Sequence, residues 1–205
     1  MKKILALCSL VCLSACSLMG IRDTPEPRYQ LLLKDNAFEI RQYSPLLLAQ
    51  TVVTADYQQA GSEAFKRLAR YIFGGNTART RMDMNSPVIQ EGDSVTIAMT
   101  APVLQQAEGQ VWRMSFVMPD SYTLETLPVP DDDRVELKQQ SAQKTAVLVY
   151  SGSLNAQTIA EKTQVLREWL TAHSLKPISS ARSAAYDPPW TLSAMRKNEI
   201  HIDIE

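Results

Sequence analysis

The chain has 205 residues and is 45% hydrophobic and 21% charged, with a formal net charge of −1. That length allows one domain with a sizeable core or two small ones. Near-neutrality argues against a nucleic-acid partner, which calls for a clustered positive surplus. No apolar run after residue 20 approaches the roughly 20 residues that span a bilayer.

At the N-terminus, Lys2 and Lys3 precede the short apolar run Ile4 to Leu13, and small residues follow. That is a secretory signal over residues 1–15, too short for a membrane helix. Its end, Leu13-Ser14-Ala15-Cys16, resembles the bacterial lipoprotein box, in which cleavage leaves the cysteine as an acylated N-terminus. The competing reading is a soluble secreted protein with an incidental cysteine. Ser17 in place of Asp after the cysteine implies sorting to the outer membrane, facing the periplasm. Cys8, Cys12 and Cys16 are the only cysteines. The mature chain therefore keeps only Cys16 and forms no internal disulfide. Residues 16–36 read as the lipidated N-terminus and a tether, with Thr24-Pro25-Glu26-Pro27 favouring extended backbone.

The domain is expected over residues 37–205. Ala37 to Tyr43 alternates like a half-buried strand, and Leu46 to Thr54 fits a more buried one. Gln58 to Phe73 is a helix with Ala64, Phe65, Leu68 and Ile72 on one side and Lys66, Arg67 and Arg70 elsewhere. Gly74-Gly75-Asn76 supplies its stop. Arg79 to Gln90 reads as irregular, Val95 to Thr100 as a strand, and Val111 to Met118 as the clearest strand of all. The acidic, proline-rich Leu127 to Asp133 separates the halves, about 37–126 and 134–205. Strands over Arg134 to Lys138 and Thr145 to Ser151, a helix from about Asn155 to Ala172, and strands near Ser180 to Tyr186 and Asn198 to Ile204 complete the chain.

The second helix echoes the first: Gly61 falls on Ile159, Leu68 on Leu166, Tyr71 on Trp169 and Ile72 on Leu170. The expected fold is therefore α+β, with duplicated β-β-α-β-β halves forming a curved, barrel-like antiparallel sheet and two main helices. Within the last strand, Ile200, Ile202 and Ile204 point one way, and His201 and Asp203 lie on the polar face. His173 sits near a helix end, where it stabilises the dipole. The many methionines read as fillers of core gaps. No Gly-x-Ser-x-Gly elbow, His-Glu-x-x-His or phosphate loop occurs, so the chain reads as a binding protein, with a small-ester hydrolase as the remote alternative.

Six blocks resemble the SOUL haem-binding protein family, in the family's order and across residues 37–204: Phe38-Glu39-Ile40-Arg41-Gln42-Tyr43, Tyr71-Ile72-Phe73-Gly74-Gly75-Asn76, Met99-Thr100-Ala101-Pro102-Val103, Phe116-Val117-Met118-Pro119, Tyr186-Asp187-Pro188-Pro189-Trp190 and Arg196-Lys197-Asn198-Glu199-Ile200. The resemblance implies a duplicated barrel-like fold, related to effector domains of bacterial regulators, and non-covalent binding of haem or another tetrapyrrole. In the family a basic residue just before the helix-ending tyrosine is proposed to meet a propionate; Arg70 holds that position, while two other basic positions are Ser62 and Thr191 here. With Lys66, Phe65 and Trp190, Arg70 forms the candidate haem site, in which protein ligation of the iron is weak or absent. The basic helix edge reads equally as a solvated face. The same fold holding another planar, amphipathic ligand, or contacting proteins, is the rival to haem.

Overall fold

The computed structural model describes residues 25–83, 85–92, 111–188 and 190–205. Its strands are β1 (Tyr29–Asp35), β2 (Phe38–Tyr43), β3 (Leu46–Thr54), β4 (Asn85–Gly92), β5 (Val111–Val117), β6 (Glu136–Gln140), β7 (Gln143–Tyr150), β8 (Arg182–Ala185) and β9 (Asn198–Asp203), and its two long helices are α1 (Tyr57–Ile72) and α2 (Ala156–Ala172). All nine strands form one antiparallel sheet in the order β1-β2-β7-β9-β8-β4-β5-β3-β6.

Exchange of the halves maps β2, β3, β4 and β5 onto β6, β7, β8 and β9, and every pairing among these eight strands then finds a twin. The β2–β7 ladder maps onto β6–β3, β3–β5 onto β7–β9, and β4–β5 onto β8–β9. The β4–β8 ladder maps onto itself, so the pseudo-twofold axis passes between these strands. Each half lends strands to the other, which leaves neither with a closed sheet of its own. Strand β1 stands outside this symmetry.

Both helices lie on the outer face of the curled sheet. Asp56 caps α1 by accepting from the Gln59 amide at 2.9 Å, and Asn155 caps α2 by accepting from Thr158 at 2.9 Å. The stop after α1 is as expected: Gly74 has φ 107°, and at Gly75 a Cβ would lie 2.8 Å from the Arg70 carbonyl oxygen. Beneath α1, Leu68, Tyr71, Met114, Phe116 and Met118 form one core; beneath α2, Leu148, Leu166, Trp169, Ile200 and Ile202 form another. The echoed pair Leu68 and Leu166 is buried in equivalent places. Met82, Met114 and Met118 are core residues, as read from the sequence.

Two expectations are corrected. Residues 29–35 are strand rather than tether, paired along β2 with a register shift between Leu31 and Leu33. Residues 85–90, part of the stretch read as irregular, belong to β4 in the middle of the sheet. Pro87 is tolerated there because the β4–β5 register jumps between Asn85 and Val88, so no ladder bond is asked of its nitrogen. Val95 to Thr100, the Met99 to Val103 block and Cys16 lie outside the described residues.

Candidate functional site

The outer surface of α1 carries three of the residues singled out above. At 3.6 residues per turn, Phe65, Ala69, Ile72 and Phe73 make one strip, with Lys66 and Arg70 bordering it. With Arg81, Met82, Asp83 and Phe116 the strip lines a shallow groove of 130 Å³. Phe65 is 44% exposed and Phe73 61% exposed, although Phe65 also meets the buried Phe116 edge-on at 5.4 Å. The Arg81 guanidinium lies over the Phe73 ring, 5.1 Å from its centroid.

Arg67 belongs to the structure of this face: it donates to Thr51 Oγ1 at 2.7 Å and to Glu63 Oε1 at 2.6 Å. Lys66 and Arg70, in contrast, have no carboxylate partner among the described residues. Arg70 lines an adjacent groove of 310 Å³ with Tyr71 and Asp131 to Arg134. The three aspartates of that connector are not a free cation site, because Asp131 pairs with Arg79 and Asp132 with Arg134 and Arg67. Trp190 is 62% exposed on the β8–β9 connection and lines neither groove.

The inner face of the sheet is unlike what alternation alone implied. His201 and Asp203 do oppose Ile200 and Ile202, but their face is the buried interior of the half-barrel, and His201 is only 5% exposed. Curling turns a polar strand face inward. Arg41 is central there. Its Nη1 and Nη2 donate to the two Glu199 oxygens at 3.0 Å each, its Nε donates to Glu39 at 2.7 Å, and Nη1 also reaches the Tyr43 hydroxyl at 2.9 Å. Tyr186 and His201 donate to Glu199 Oε2 at 2.6 and 2.7 Å. Three of the six sequence blocks thus meet in one buried network: Glu39, Arg41 and Tyr43 from the first, Tyr186 from the fifth, Glu199 from the last. Another block carries Asn76, also buried, which donates to the carbonyls of Tyr71 and Thr80 and accepts from the Thr80 amide.

Burial opposes the charge on Glu199, yet hydrogen bonds from His201 and Arg41 and the Arg41 charge hold its pKa far below the carboxylate range. An ionised carboxylate only accepts, so His201 Nε2 carries the hydrogen. Burial depresses the His201 pKa against the pull of Glu199, with Arg182 and Arg41 adding to the depression. The folded ring therefore stays neutral where an unfolded one, titrating near ~6.5, takes up a proton. Stability is complete above that pH and falls as the pH drops, by at most about 1.4 kcal/mol per unit for this one proton. Thermal unfolding between pH 7 and 5 is expected to show this slope, and His201→Gln to flatten it.

The family model of the SOUL haem-binding protein matches residues 24–203. None of the curated protein sequences matches the chain. Among solved structures, the EcmrR C-terminal domain superposes with a TM-score of 0.61 at 10% identity, covering 86% of this chain and 98% of that one. A hydrolase from Listeria innocua gives 0.55 at 10% identity, with 85% and 94% covered. At such identities the likeness is one of fold alone. A family match over almost all the described residues, on a nine-stranded curled sheet with two outer helices, places this chain in the SOUL haem-binding protein family.

Proposed function

We propose that this protein binds haem or another tetrapyrrole non-covalently on the outer strip of α1, and that the lipid of Cys16 holds it on the periplasmic side of the outer membrane. The observation that carries the ligand reading is the pair of exposed phenylalanines, Phe65 and Phe73, beside Lys66 and Arg70, which have no carboxylate partner among the described residues. A porphyrin needs such a surface: an apolar face for the macrocycle and cations for its propionates. Arg81 adds a third cation at the other edge of the strip. Neither His173 nor His201 lines this groove, so the iron goes without a histidine ligand there. His173 instead caps α2, its Nδ1 2.8 Å from the Trp169 carbonyl oxygen.

Hemin titrated into the protein at micromolar concentration is expected to give a saturable Soret shift, and Arg70→Ala to weaken it about fivefold, the share of one exposed charge-assisted contact (~1 kcal/mol). Absence of saturation would remove the haem reading. The anchor is tested separately: Cys16→Ser should move the protein from the membrane fraction to the soluble one.

A further inference from the structure

The interior of the half-barrel opens into a cleft of 240 Å³, the share of about eight water molecules. That is below the ~300–1,000 Å³ of pockets that enclose drug-sized ligands, a size that suits a small molecule. Most polar groups around it are already engaged. Asp203 accepts from both Arg182 Nη atoms at 2.6 Å and from Thr145 at 2.7 Å, and Glu91 accepts from Arg113 at 2.9 Å.

Gln140, Ser141 and Gln143 at the β6–β7 turn have no side-chain partner among the described residues, and three further groups each keep a polar atom without one. The His201 ring is tied through Nε2 to Glu199, which leaves Nδ1 a bare acceptor without a partner among the described residues. Ser115, 6% exposed, has a hydroxyl without a partner among them. Lys138 enters from β6 with no carboxylate partner among them. Two side chains more than nine-tenths buried, each with a polar atom that has no hydrogen-bond partner among the described residues, thus line the same cleft as one cation.

We propose that this cleft binds a small hydroxycarboxylate, its carboxylate meeting Lys138 and Ser115 and its hydroxyl donating to His201 Nδ1. The cation calls for one negative charge. The bare nitrogen calls for a neutral donor rather than an ammonium, since Asp203 and Glu91 already have their cations. Leu48 and Ile89 supply a small apolar floor for the carbon skeleton.

The test is a titration of the full chain with lactate, followed through the imidazole nitrogen resonances of His201. Lactate is expected to shift Nδ1 saturably, and propionate, which lacks only the hydroxyl, to bind at least about tenfold more weakly because Nδ1 stays unpaired. Lys138→Met, at an exposed position that leaves the fold intact, should weaken lactate about fivefold or more, as should Ser115→Ala; Arg70→Ala on the outer strip should change nothing. No shift at ~50 mM lactate, equal affinity for propionate, or an unaltered Lys138→Met would overturn the proposal. Hemin binding plays no part in this readout, so the two sites stand or fall separately.

Discussion

Arg41→Met is expected to destabilise the protein by about 3–5 kcal/mol, because it leaves Glu199 ionised and buried without its main cation. For a chain of this size that lowers the melting temperature by roughly 10 °C or more. The geometry explains the size: both Glu199 oxygens accept from Arg41, and the same guanidinium serves Glu39 and the Tyr43 hydroxyl. Lys197 offsets only part of the loss, since its Nζ, 3.5 Å from Glu199, is shared with Glu26 at 2.7 Å. The double variant Arg41→Met, Glu199→Leu should recover part of the loss, because an apolar replacement of a buried pair removes the stranded charge. Thermal unfolding of the three proteins decides it; a single variant within about 1 kcal/mol of wild type would show that Glu199 does not depend on Arg41.

Phe65→Asp combined with Phe73→Asp is expected to weaken hemin binding by at least about 100-fold. Covering one large apolar side chain contributes about 1.5–3 kcal/mol, and the new carboxylates repel the propionates that Lys66 and Arg70 attract. The fold should persist, because both rings are already exposed to solvent. The edge contact of Phe65 with Phe116, about 0.5–1.5 kcal/mol, and the exposed stacking of Arg81 on Phe73 are lost. An affinity within threefold of wild type would place the ligand elsewhere.

The duplicated architecture was readable because the two helices keep the same apolar spacing and the strands beside them alternate clearly. Two strands escaped for local reasons. In β1 the run Leu31-Leu32-Leu33 does not alternate, and the register shift there lets one extra residue pass. In β4, Pro87 argues for an edge or a loop, yet the strand is central because its irregularity falls at the proline. The helix strip with Lys66, Phe65 and Arg70 was legible from periodicity and resemblance, while Arg81 was not, since only the chain reversal after Gly74 brings it over Phe73. Trp190 was singled out by its block, yet that block meets the rest through Tyr186.

The interior network was the least legible feature. Glu39 and Arg41 alternate with Phe38 and Ile40, as Glu199, His201 and Asp203 do with isoleucines, and such alternation ordinarily marks a solvated face. Only closure of the sheet shows that both polar faces look inward. The available signal was chemical complementarity, a strand whose polar side carries an arginine and another whose polar side carries acids.

The central claim, a tetrapyrrole lying on the outer strip of α1, is tested most directly by titrating hemin into isotopically labelled protein and following both the Soret band and the amide signals. The account predicts a saturable Soret change with paramagnetic broadening centred on Phe65 to Phe73 and Arg81. Broadening centred on β2 and β9 in the interior, or no saturable change at micromolar hemin, would contradict it.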